Sequence, residues 1–313
     1  MNRAQLQRTN LPWLAAATAV LIAILPFLFT LKFMLARRAE GQDPAVLWIM
    51  LATFGSGLLF KGWVAFLIAQ WRGERRGELA FRRPALLMLA FAVGLLVWIA
   101  LTTLFYQVAF VALHRSGGSI SLMNVVSTLL TPLLNTLGIW LAWSIATRLL
   151  RNDVLPPLAQ PNMAPRIAGL AALGLAVVLL CATSFALPTL TLAIPDAGMS
   201  LLAYWSSAIL PVVLAFVGAL LGLRSGVHAV YGGRMLGATL AAMVSAGLLS
   251  YGCFVLTSDL LVPQLGLSGG VAATLCVIVL LAGIVGSYGL WMHVFYRSVR
   301  RGAAAGTPPP LHS

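Results

Sequence analysis

The chain has 313 residues, of which 60% are apolar and 9% charged. Soluble domains carry about 25% charged residues, so this chain could not cover its own surface in water, and hydrocarbon is its expected solvent. The formal net charge of +13 does not point to nucleic acid, because the arginines stand in short clusters between apolar runs, where membrane topology signals belong.

A helix needs about 20 apolar residues to cross roughly 30 Å of hydrocarbon. Eight runs qualify: 11–35, 45–70, 85–113, 121–148, 166–194, 200–223, 234–257 and 271–295. They predict an all-α integral membrane protein with eight transmembrane helices. The first run follows Arg3 and Arg8 as a signal peptide would, but it exceeds the ~7–15 residues of a signal-peptide apolar core and is expected to stay as an uncleaved span. Its far end carries Lys32, Arg37 and Arg38, an outer basic patch able to meet anionic headgroups. Glu40 and Asp43 stand close enough in sequence to neutralise it.

The second run contains Lys61, the single ionisable residue deep in a span. A lysine at a helix centre costs about 2.5–3.5 kcal/mol on insertion scales. Gly57 and Ala65 lie on its face, so that face is expected to meet protein. Two readings are open: a counter-charge for an anionic substrate or headgroup, or a lysine that snorkels to the cytoplasm or caps carbonyls. In the third run, Trp98 is expected at similar depth and could give a cation–π contact, while Tyr106 and Gln107 add polarity further out.

The fourth run bears a polar stripe. At 100° per residue, Asn124, Thr128, Thr131 and Asn135 cluster on one face, which Gly138 and Ala142 extend. Such a face does not meet lipid. It either glues helices together through hydrogen bonds or lines a polar pathway. Pro132, within it, removes a backbone donor.

A linker with Pro156, Pro157, Pro161 and Pro165 follows at the midpoint of the chain. The expected division is a first four-helix half at 1–150, a Pro-rich linker at 151–165, a second half at 166–300 and a disordered tail at 301–313. Sliding one half on the other by about 151–153 residues aligns Asp43 with Asp196, Arg72 with Arg224, Arg83 with Arg234, and Gly138–Trp140 with Gly289–Trp291. This predicts a tandem parallel 4+4 repeat, its halves related by an axis along the membrane normal. In the second half, Gly218, Gly222 and Gly226 permit close helix approach. The last run offers a small face of Ala282, Gly286, Gly289 and His293, expected to meet the fourth-run stripe. Cys181, Cys253 and Cys276 lie in apolar runs without CxxC or nearby His and read as apolar filler rather than as bridges.

Orientation follows from the loops. Arg3, Arg8, Arg72, Arg75, Arg76, Arg82, Arg83, Arg148, Arg151, Arg166, Arg224, Arg234, Arg297, Arg300 and Arg301 fall on one side. Lys32, Arg37, Arg38 and Arg115 fall on the other. Fifteen against four places both termini in the cytoplasm of an inner (plasma) membrane protein.

All seven acidic residues lie outside the deep part of any span, and no HExxH, Walker or Rossmann pattern occurs. An enzyme is therefore not expected, nor a metal, a cofactor or coupling through a buried carboxylate. The expected function is of transport type: facilitative or partner-energised passage of a small polar, anionic or lipid-like substrate. The pathway candidates are Lys61, Trp98, Asn124, Thr128, Thr131, Asn135 and His293. The alternatives are a non-catalytic membrane anchor or assembly subunit and, more weakly, a lipid- or acyl-modifying enzyme. Expected partners are membrane lipids, with a membrane protein or a second copy possible.

Overall fold

A computed structural model describes residues 11–39, 44–115, 120–155, 163–193, 197–223, 227, 229–264 and 268–304. Among them, all extended regular structure is helical. The eight long helices are α1 (Leu11–Ala39), α2 (Pro44–Arg76), α3 (Pro84–Arg115), α4 (Ile120–Leu149), α5 (Ala164–Ala193), α6 (Ala197–Leu223), α7 (Gly232–Leu256) and α8 (Gly269–Ala304). Four carry stretches long and apolar enough to cross a membrane: Leu11–Leu28, Pro84–Ala109, Gly232–Leu260 and Gly269–Arg297. Their outward surfaces are compatible with a membrane protein, since Val108, Leu133, Leu248 and Phe254 are all exposed and would find a solvent match in hydrocarbon.

Local chemistry explains the helix ends. Pro44 and Pro84 occupy first helical positions, where a missing N–H has no intrahelical partner to lose. Gly77 closes α2 at φ +71, and the Glu78 N–H reaches back to the Gly73 carbonyl at 3.0 Å. That is a Schellman cap, which favours glycine because a Cβ strains the left-handed region. Tyr231 takes the same region before α7 at φ 48. The Arg234 guanidinium over its ring at 5.5 Å and the edge of Tyr296 at 6.4 Å help hold it there.

The chain divides into two compact units: Met1–Asp43 with Phe54–Leu158, and Pro44–Thr53 with Ala159–Ser313. In the first, α3 packs on α1 and α4. Leu87, Phe91 and Leu95, one turn apart on α3, join Ile139, Ala142, Trp143 and Ala146 of α4 in the core. Phe91 and Trp143 meet edge to face at 5.2 Å. Phe81 and Val154 form an isolated antiparallel bridge, flanked by bonds from Arg82 N to Asp153 O (2.8 Å) and Leu155 N to Ala80 O (2.9 Å). These tie the α2–α3 connection to the segment after α4.

In the second unit, α6 packs on α5 and α8, and α7 on α8 and α5. Tyr288, Met292 and Tyr296, again one turn apart, are fully buried on α8. A Cβ built on Gly218 would stand 2.5 Å from the Val285 carbonyl oxygen, and one on Gly222 closer still to that of Gly289. The α6 and α8 backbones therefore touch where these glycines lie. α7 passes into a π-helical turn at Thr257–Leu261, one of the local irregularities that recur at functional positions.

Candidate functional site

The chemistry of the first unit gathers along one face of α2. Lys61, Ala65, Ala69 and Arg72 are separated by four, four and three residues, so they stack on one side of the helix. Ala65 and Ala69 are buried and Lys61 is half-buried. Small residues here let neighbouring helices close in. On the adjoining face, a Cβ on Gly62 would stand 3.0 Å from the Val20 side chain of α1. Nearer the end of α2, Trp13 meets Phe66 edge to face at 4.8 Å.

Arg72 ends this face and is only 5% exposed. One terminal guanidinium nitrogen donates to the Ser144 hydroxyl of α4. Ser144 in turn donates to the Trp140 carbonyl at 2.5 Å. Among the described residues, the remaining Nε and terminal nitrogen of Arg72 are buried without a hydrogen-bond partner, and so is Oε2 of Glu78. Arg76 and Arg148 lie close enough to repel the Arg72 charge, and Glu78 close enough to attract it. One turn before Glu78, Gln70 donates to Glu74 at 2.8 Å. A buried guanidinium with unanswered donors, among further arginines, is suited to receiving an anion.

The α4 stripe has a different setting. Tyr106 and Thr131 share a hydroxyl hydrogen bond at 2.9 Å. The Trp98 indole N–H donates to the Leu134 carbonyl at 2.9 Å. Gly138 lies under the Trp98 ring, where any Cβ would fall on the indole, and a Cβ on Gly94 would stand 3.0 Å from that of Ala142. Thr131, Gly138 and Ala142 thus face α3, and their polar and small side chains join two helices. Asn135 is half-buried beside them. Trp98 is committed to α4 through its N–H. On the small face of α8, Gly289 meets α6, whereas Ala282 and Gly286 are exposed and a Cβ on Gly286 would meet nothing within 4 Å.

The remaining candidates are dispersed. His293 and Lys32 are exposed. The side chains of Asn124, Thr128, Arg37 and Arg38 lie outside the described residues, as do Arg3, Arg8 and the tail from 305. Sequence reasoning counted Arg72 only as a topology charge. The signal that singles it out is its spacing from Lys61, eleven residues along the face that Ala65 and Ala69 keep narrow. No family model matches the chain, and neither a curated protein nor a solved structure matches it.

Proposed function

We propose that this is an inner-membrane protein of transport type, with eight spans and both termini cytoplasmic, that takes a small anionic or lipid-like substrate. The observation that carries the reading is the α2 face on which half-buried Lys61 stands three turns from buried Arg72, whose Nε and second terminal nitrogen have no partner among the described residues. The two cations are separated by about 16 Å of helix at 1.5 Å per residue. This is a plausible spacing for successive positions of an anionic group between membrane interior and cytoplasmic surface. Passage would be facilitative or driven by a separate partner, and no chemistry on the substrate is invoked. The anchor reading drew on glycine-rich faces, and Gly218 and Gly222 already use theirs against α8.

The tandem-repeat reading has support from like pairings. α4 meets α3 and, through Ser144, α2, while α8 meets α7 and α6. The likeness is one of topology rather than of residue packing. Trp98 covers Gly138, but Leu249, at the aligned position in the second unit, covers Gly283 and not Gly289.

The test is purification in native-lipid nanodiscs of the wild type, Lys61→Met and Arg72→Met, with mass spectrometry of bound anions and lipids. The reading expects a stoichiometric anionic species in the wild type that both variants lose. Equal content in all three, with the fold intact, would remove the basis for an anion path. A stoichiometric protein partner retained in all three would favour the anchor instead.

A further inference from the structure

Cys253 and Cys276, 23 residues apart, were expected to be apolar filler, but the hairpin of α7 and α8 brings them together. Cys253 is buried in the last turn of α7, and Cys276 is partly buried two turns into α8. Cys276 Sγ approaches the Cys253 carbonyl at 3.5 Å. Thr257, first residue of the π turn, places its hydroxyl 2.7 Å from Cys276 Sγ and 2.7 Å from the Cys253 carbonyl. The Thr257 hydroxyl donates to the Cys253 carbonyl and can accept from the Cys276 S–H.

We propose that Cys253 and Cys276 form a redox-active pair whose oxidation to a disulfide staples the α7–α8 hairpin beside its π turn. Three features support it. Cys276 Sγ lies 3.5 Å from the Cys253 carbonyl across adjacent helices, so bonding the two thiols asks for side-chain adjustment rather than a change of fold. Losing both S–H groups orphans nothing, because Thr257 still donates to the Cys253 carbonyl. Cys276 is the more accessible of the two, which gives an external oxidant a first point of attack.

The oxidant belongs to the class of small or protein disulfides. The Cys276 thiolate attacks one sulfur of that disulfide and forms a mixed disulfide, and the first thiol of the oxidant leaves. The Cys253 thiolate then attacks Cys276 Sγ, and the second thiol leaves. Two protons are released from the protein thiols and taken up by the two leaving thiolates, while the oxidant disulfide receives the electron pair. Under the proposed orientation this end of the hairpin faces away from the cytoplasm, where disulfides persist. The reactive geometry itself does not depend on that orientation.

The test uses the full chain carrying Cys181→Ser, purified in nanodiscs and exposed to oxidised glutathione or to a reductant. It is then denatured and labelled with a maleimide of high mass. Expected are two labels after reduction and none after oxidation, on a species that stays monomeric without reductant. Adding Cys253→Ser or Cys276→Ser should leave one cysteine, with no loop-closed product after oxidation. The oxidised form should melt at higher temperature, because the bond closes a loop of about 23 residues. Two labels surviving oxidation of the folded protein, or only intermolecular dimers, would overturn the proposal. A pair that oxidises in nanodiscs but is found reduced in cells trapped with acid would overturn the orientation and leave the pair standing.

Discussion

At the residue scale, two buried groups make opposite demands on their surroundings. The Tyr288 hydroxyl is buried on α8 without a hydrogen-bond partner among the described residues, while the residue as a whole is fully buried. An unanswered buried donor carries a desolvation penalty of about 1–3 kcal/mol. Tyr288→Phe keeps the ring and removes the penalty, so thermal unfolding in nanodiscs should show an unchanged or higher melting temperature. A fall of several degrees would mean that the hydroxyl has a partner in the membrane. Gly138 shows the reverse case, since its missing side chain is the space that the Trp98 ring fills. Gly138→Ala pushes on a ring anchored through its N–H to Leu134, and overpacking of this kind costs about 1–3 kcal/mol. Trp98→Leu in the same chain should recover much of that loss, because it vacates the space and removes the donor together. Failure of the second substitution to restore any stability would show that the two positions do not share one contact.

At the element scale, glycines that look alike in sequence separate sharply by what lies above them. Gly222 and Gly247 both sit in apolar helices. A Cβ on Gly222 would meet the backbone of Gly289, whereas one on Gly247 meets nothing within 4 Å. Backbone cannot rotate aside as a side chain can, so Gly222→Ala should pry α6 from α8 and lower the melting temperature. Gly247→Ala adds helix propensity worth up to about 1 kcal/mol with no clash, and should leave stability level or raised. Equal losses at both sites would refute the close α6–α8 contact. The same contrast shows what was legible beforehand. Eight apolar runs predicted eight helices because hydropathy reports solvent directly, and helix bounds came within a few residues at most ends. α2 and α8 run further than their apolar runs, to Arg76 and Ala304. Apolarity stops at the membrane surface, while the helix stops only where a cap such as Gly77 ends it. The α4 stripe was visible as a periodicity, but periodicity cannot say which neighbour it meets. Arg72 and the Cys253–Cys276 contact were illegible for the same reason, since each is made between helices and a single helix's pattern does not say which faces meet.

At the scale of the whole molecule, the arrangement across the membrane rests on charge rather than on packing. Arg72, Arg75, Arg76, Arg82 and Arg83 crowd the α2–α3 connection, whose ends the bridge between Phe81 and Val154 holds against the segment after α4. Translocating such a cluster is opposed by the positive-inside effect, so this connection should be cytoplasmic. The far end of α1, with Lys32, Arg37 and Arg38, is as basic as the N-terminus, which makes the first helix the weakest link in the orientation. Glu40 and Asp43 stand beside that patch, but acidic residues count for little in this rule. The whole-chain excess of arginine on the other side must therefore decide. A reporter active only outside the cytoplasm, fused after Arg38 and after Arg115, should be active at both positions. Fused after Arg83 or after Arg151, it should be silent. Silence after Arg38 and Arg83 with activity after Arg115 would mean that α2 does not cross and, from a cytoplasmic N-terminus, that α1 does not cross either, leaving six spans and a first unit closed differently. Activity after Arg83 would invert the protein. It would put Arg72 and its unanswered donors on the outer surface, and would turn the α7–α8 end with Cys253 and Cys276 toward the reducing cytoplasm.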